Sequence, residues 1–378
     1  MKKTTVGEYG KWLGKMLGDR PAELSFRRPE FRSVGAWRRQ AWRKAHELLA
    51  PVEIAVRDVR VARAYQWDGL ELEELSWQLP YGERTEAVFM KPAGARGRLP
   101  AVLALHDHAG NKWLGWRKIA RNREKPAPIV RKHVANYYEG EFWATDLAHR
   151  GYAVLIHDAF AFASRRIRVG NVLPRVRAGF PSAEPRTERE IWRYNDWAGG
   201  HEHVLSKALF DAGTTWPGAA MAEDKAALGY LSSRRDVDAR RIGCGGLSGG
   251  GSRTAFLAGL DHRIRCAVCV GFMSTWRDFA LDSCWTHTWM IHVPHVSRYL
   301  DFPEILGIRV PLSTMVLNNW QDNLFLPREM VRADRILRAV YKKAGAPEKY
   351  RCNFHPGPHK FDLKMQGEAF NWFDRWLR

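Results

Sequence analysis

Ser248 stands in Gly246-Leu247-Ser248-Gly249-Gly250, a Gly-x-Ser-x-Gly arrangement. The five residues alone carry a modest signal, because small residues cluster by chance. Their flanks carry more. An apolar run, RRIGCGG, precedes them and reads as a strand, and SRTAFLAGL follows as a helix. A serine at such a junction sits on a sharp, strained turn that lifts its Oγ above the sheet, and glycines beside it let strand and helix backbones close in. The amide of Gly249, at a helix N-terminus, would face an oxyanion. The chemistry that suits this arrangement is nucleophilic attack on a carbonyl carbon.

A serine hydroxyl attacks poorly until a base takes its proton, and the base must in turn be oriented by an acid. With a serine elbow of this kind the order along the chain is Ser, acid, His. Asp322, in VPLSTMVLNNWQDNLFLP, follows the next-but-one strand and is the expected acid. Asp282 and Asp301 are rivals that follow no clear strand. In YRCNFHPGPHKFDLKMQ, His359 comes after the Pro-Gly-Pro turn, where a loop histidine could reach back to Ser248. His355 of the same stretch lies on or just off the strand. The loop after an earlier strand, His106-Asp107-His108-Ala109-Gly110-Asn111, should bring the second oxyanion donor, with His108 nominated and Ala109 close behind. The His-x-His spacing there, and His201-Glu202-His203, invite a metal reading. Neither pair has a completing ligand set, so no metal and no cofactor are expected.

These residues need a sheet to bring them together. From residue 100 onward, apolar strands (PAVLALHDH, YAVLIHDAF, RCAVCVGF, YRCNFHPG) alternate with amphipathic helices such as MAEDKAALGYLSSR and REMVRADRILRAVYKKAG. That alternation indicates a mostly parallel α/β sheet of about eight strands, covered by helices on both faces. Residues 52–97 alternate polar and apolar as an antiparallel opening would. Residues 1–50 read as a helical extension packed on the outside, and 51–378 as one catalytic domain. Insertions at about 111–142 and 160–215 follow strand ends and are expected as lids over the site. Cys266 and Cys269 form a Cys-x-x-Cys inside a strand, where residues three apart point to opposite faces, so they are expected to be buried small hydrophobes.

Composition limits the classes. Among 378 residues, 60 Lys+Arg against 41 Asp+Glu give a net charge of +19, yet no nucleic-acid-binding signature accompanies it. No long apolar run suggests a membrane span, and MKKTTVGEYGKWLGKML lacks the apolar core of a signal peptide, so cytoplasmic residence is the expectation. Association of identical copies is left open. Seventeen tryptophans are many, and several fall in expected loops. Trp113 and Trp320 could stack on a sugar face, and Arg165 could pair with a substrate carboxylate.

At this point the residues resemble the dienelactone-hydrolase and acetyl-xylan-esterase-like branch of the α/β-hydrolases. The matching pieces are LALHDHAGNK, Asp158 with Arg165 and Arg166 beyond it, DARRIGCGGLSGGGSRTAFLA, NNWQDNLF and PHKF…WFDRWL, from about residue 85 to the C-terminus. The resemblance implies an α/β-hydrolase fold and a serine esterase, with Ser248, Asp322 and His359 as triad and amides of Gly249 and the 107–109 loop as oxyanion hole. The chain departs at Ala109, where the family loop has glycine; an alanine forced to positive φ there would be strained. Peptidase, thioester or C–C bond cleavage by the same triad, and a degenerate binding protein, are the competing readings.

Overall fold

A computed structural model describes residues 3–122 and 125–378. Its centre is a nine-stranded sheet of order β1-β2-β3-β5-β4-β6-β7-β8-β9, one strand more than expected. The strands are β1 Arg57–Trp67, β2 Leu70–Gln78, β3 Thr85–Pro92, β4 Leu99–Ala104, β5 Ala153–His157, β6 Val237–Leu247, β7 Ile264–Val270, β8 Ser313–Asn319 and β9 Tyr350–His355. The first three pair antiparallel, β3 joins β5 antiparallel, and β4 through β9 run parallel. The parallel strands are buried on both faces, which is why they read as continuous apolar runs. In β2, by contrast, Leu70 and Leu72 point inward between half-buried glutamates.

Two apolar cores lie on opposite faces of this sheet. One holds Trp37, Leu103, Leu155, Phe256 and Cys269; the other holds Val102, Val154, Val268, Cys266 and Phe373. Cys266 and Cys269 thus face opposite sides, as strand geometry demands. Of the N-terminal stretch, the helix Val34–Leu49 buries Trp37, Ala41, Ala45 and Leu49, one residue per turn, against the first core. Ser33 caps it by accepting from the Ala36 amide at 3.3 Å.

The insertions are more regular than the sequence suggested. Residues 111–142 contain the helix Pro128–Tyr138, and 160–215 contain the 24-residue helix Glu188–Asp211, opened by a Thr187/Glu190 capping box. A third long excursion, residues 271–312 between β7 and β8, was not anticipated. It is built of short helical turns that carry His287, Thr288 and Trp289.

Candidate active site

The C-terminal ends of β4, β6, β7, β8 and β9 converge on one edge of the sheet, and Ser248, Asp322, His359 and the His108–Ala109 loop each lie just past one of them. Ser248 follows β6 directly and precedes the helix Gly249–Leu260, with φ 57° and ψ −118°. A side-chain-bearing residue in that region is strained, by roughly 1–3 kcal/mol. Two neighbours make the turn sterically feasible. A Cβ on Gly246 or on Gly250 would stand 2.1 Å from the Leu105 carbonyl oxygen, so only glycine lets β4, the elbow and the helix meet. The Ser248 amide donates to Val270 at 2.9 Å, fixing the elbow to the end of β7.

Asp322 is buried just beyond β8. One carboxylate oxygen accepts from the Leu324 amide at 3.0 Å, and the other lies 2.6 Å from Nδ1 of His359. The loops that carry the two residues are laced together: Trp320 N–H donates to the His355 carbonyl at 2.8 Å, and Gln321 N–H to Gly357 at 3.2 Å. The His359 ring lies against Gly271, whose absent Cβ would be 3.0 Å from its Cε1. Gly271 directly follows Val270, the partner of Leu247 in the β6–β7 pairing. The imidazole is therefore beside the elbow, with its Nε2 buried and without a protein partner.

The opposite wall is the loop after β4. A Cβ on Gly249 would lie 3.0 Å from the His108 nitrogen, so the loop backbone and the first turn of the elbow helix are in near contact. Ala109 takes φ 43°, the left-handed region where the sequence raised the question of strain. Relieving it should stabilise the fold. Ala109→Gly is expected to gain about 1 kcal/mol, measured as a higher Tm in thermal unfolding with ester turnover retained.

The loop is held from behind. His108 Nδ1 accepts from the Gly110 amide at 2.9 Å, so its proton is on Nε2, which meets Glu202 at 2.7 Å. Burial and the Lys112 charge push His108 below its usual pKa, keeping it neutral. Glu202, from the helix Glu188–Asp211, also pairs with buried Lys112 and accepts from Thr288 Oγ1 at 2.6 Å and the Trp289 amide at 3.0 Å. Burial alone would raise its carboxyl, but Lys112 and His108 overcome that and hold it far below the usual carboxylate range. Lys112 lies over the rings of Phe162 and Trp216.

No family model matches the chain. A Bacillus subtilis (strain 168) protein named "Putative hydrolase YtaP" is 26% identical over 309 residues, which span 81% of this chain and 88% of that protein. A solved structure described as a "putative acetyl xylan esterase" from Bacteroides fragilis NCTC 9343 aligns over 93% of this chain and 85% of its own, with TM-score 0.66 and 17% identity. The glucuronoyl esterase from Solibacter usitatus aligns over 94% and 97%, with TM-score 0.59 and 14% identity. This is the α/β-hydrolase fold. In it, Ser248, Asp322 and His359 occupy the loops after β6, β8 and β9, in the order that the sequence suggested.

The rival residues have other partners. Asp301 caps the short helix Phe302–Gly307 through the Phe302 amide at 2.8 Å, and Asp282 meets Arg328 at 3.1 Å. His355 ends β9 facing Glu368 at 3.5 Å. Arg165 corrects an expectation. It is buried, pairs with Glu223 at 2.8 Å and donates to the Tyr81 and Glu83 carbonyls, so its charge anchors the 160–168 segment and is not offered to a ligand. Trp113 is likewise engaged within the protein. It meets Tyr194 edge-on, and the Arg166 guanidinium lies 4.1 Å from its ring, beside a recess of about 500 Å³ lined also by Arg84 and Arg117. Trp320, two residues before Asp322, is 42% exposed and stacked on Phe354 at 4.4 Å.

One residue near the site was missed. His287, in the unanticipated excursion, packs its ring against Phe325 at 4.9 Å and Phe279 at 5.0 Å, and Phe325 in turn faces His359. Burial, aided by the neighbouring imidazoles, pushes it down to about 4. No motif marks it; only its position in a long excursion after a central strand could have drawn attention.

Proposed function

We propose that the protein is a serine carboxyl-ester hydrolase. The observation that carries this reading is the 2.6 Å contact between Asp322 and His359, with the imidazole beside the strained Ser248 elbow. In the proposed cycle His359 Nε2 takes the Ser248 proton while Oγ adds to the ester carbonyl carbon. The resulting oxyanion is received by amide N–H groups of Gly249 and of the His108–Ala109 loop. His359 then gives its proton to the departing alcohol, leaving an acyl-serine. Water, deprotonated by the same imidazole, cleaves the acyl-serine to release the acid and restore Ser248. Asp322 fixes the ring by accepting from Nδ1–H and stabilises the imidazolium. No cofactor enters any step.

The proposed substrates are small acyl esters of saccharides. Trp320 supports this: one face is backed by Phe354 while the residue stays exposed at the same loop as Asp322. Trp285 and Trp289, also exposed, lie on the excursion that meets Glu202 and the Leu324 carbonyl. Backed, exposed indole rings suit the apolar faces of pyranose rings. The similar Bacteroides fragilis structure is described as a putative acetyl xylan esterase, which favours the same class.

A panel of acetyl esters, aminoacyl amides and thioesters, with labelling by a fluorophosphonate, tests the reaction. Turnover of the esters and labelling at Ser248 are expected; labelling absent from folded protein would overturn the triad. Trp320→Ala tests the substrate. Losing about 1 kcal/mol of ring contact should raise KM roughly fivefold for an acetylated xylo-oligosaccharide and leave p-nitrophenyl acetate unchanged. Equal effects on both would remove the saccharide reading.

A further inference from the structure

Lys118 ends a short helical turn, Gly115–Lys118, and its side chain has no solvent exposure. Its Nζ donates to two successive carbonyls of the loop after β4, those of Asp107 at 2.6 Å and His108 at 2.9 Å. The C=O of one residue and the N–H of the next belong to one planar trans unit and point in opposite directions. Drawing the Asp107 and His108 carbonyls toward one ammonium therefore turns the His108 and Ala109 N–H groups away from it. Those two N–H groups meet no acceptor among the described residues. The His108 nitrogen is also, with the His108 Cβ, 3.0 Å from where a Gly249 Cβ would be.

We propose that Lys118 is the positioning residue of the oxyanion hole, its ammonium holding two peptide units so that their N–H groups face the carbonyl oxygen over Ser248. This rests on the ester-hydrolase reading above.

Packing alone gives no reason for a lysine here. A fully buried cation is costly, and an apolar chain of similar length fills such a space as well or better. The cost is met by the Asp107 carboxylate, 3.5 Å away, which is itself held by His133 at 3.1 Å and by the Tyr138 hydroxyl, both from the helix Pro128–Tyr138. His106 Nδ1 adds a second contact to the Asp107 carbonyl at 3.0 Å. The arrangement also accounts for Ala109 at positive φ. With both flanking peptides pinned, the loop keeps its turn without the glycine that would adopt it freely. Burial, joined by the nearby Lys112 charge and opposed by Asp107 and Asp158, brings Lys118 down to about 8. His106, His108, His133, Tyr137, Tyr138, Glu202 and Arg253 are further ionisable groups around the loop.

The test uses the full chain with Lys118→Met and Lys118→Gln, the ester turned over by wild type, and a trifluoromethyl ketone that adds to Ser248 as a tetrahedral oxyanion. Lys118→Met is expected to lose about 10²-fold in kcat with KM within threefold, and to weaken ketone inhibition by a similar factor. Lys118→Gln, which still donates to both carbonyls, should recover part of each. In wild type, kcat should fall partway, toward the Lys118→Gln level, as pH rises through about 8, because the neutral amine keeps two N–H donors and loses only the charge, and that limb should be missing from Lys118→Gln. A folded Lys118→Met with kcat and ketone affinity within threefold of wild type overturns the proposal. If neither variant folds, a flat wild-type kcat from about pH 7 to 10 overturns it, and the falling limb supports it. Ser248→Ala separates the two levels: if it is dead while Lys118→Met is wild-type-like, only the role of Lys118 falls.

Discussion

Replacing Ser248 by alanine is expected to lower kcat for ester hydrolysis by about 10⁶-fold and to leave the melting temperature where it was. The two halves of that result have separate physical origins. Catalysis is lost because no other hydroxyl stands at the elbow, and His359 Nε2 then has nothing to deprotonate but water. Stability is kept because alanine retains the Cβ and with it the same backbone strain at φ 57°. Ser248→Gly isolates the strain. It removes both the nucleophile and the Cβ, so it should be equally inactive yet melt higher, by the equivalent of roughly 1 kcal/mol or more. Steady-state kinetics on the purified variants, with calorimetry on the same samples, checks both. Retained turnover in Ser248→Ala would end the nucleophile assignment.

The second large effect belongs to Asp322. Asp322→Asn should cost about 10⁴-fold in kcat with little change in KM. An asparagine side chain can still accept from the Leu324 amide, so the loop stays in place. With that oxygen so occupied, the side-chain NH₂ faces His359 Nδ1. The ring is then driven to the wrong tautomer, carrying its proton on Nε2, where Ser248 needs an acceptor. The parallel change at Asp301, Asp301→Asn, touches a helix cap and should leave kcat within twofold. A kcat/KM comparison of the two variants distinguishes the triad acid from its rival.

The sheet and the placement of Ser248, Asp322 and His359 after its strands were legible in the sequence for a common reason. Parallel strands buried on both faces must be continuous apolar runs, and the elbow must be glycine-rich because a Cβ at Gly246 or Gly250 would stand 2.1 Å from the Leu105 carbonyl oxygen. Asp322 and His359 could be placed because the residues sit immediately after such strands. Arg165 and Trp113 could not, because their roles depend on which of several partners a long insertion brings near. Arg165 finds Glu223, and Trp113 finds Arg166 and Tyr194, across tens of residues with no periodic signal. The helix Pro128–Tyr138 was hidden in the same way, and with it the support of Asp107 by His133 and Tyr138. The His-x-His and His-Glu-His runs that suggested a metal instead supply His108 and Glu202 to one ion-paired cluster.

That cluster ties three distant stretches of the chain together. Glu202 holds the loop after β4 through His108 and Lys112, and the 271–312 excursion through Thr288 and Trp289. Swinging the helix Glu188–Asp211 aside would strip a buried carboxylate of its partners, at about 3–5 kcal/mol. At equilibrium the swung state would then be populated in roughly one molecule in a hundred to one in several thousand. A gate opened that rarely would tax every encounter with ligand by the same factor. The helix Glu188–Asp211, the loop after β4 and the 271–312 excursion therefore form one fixed wall beside Ser248, where three independently moving flaps would otherwise stand.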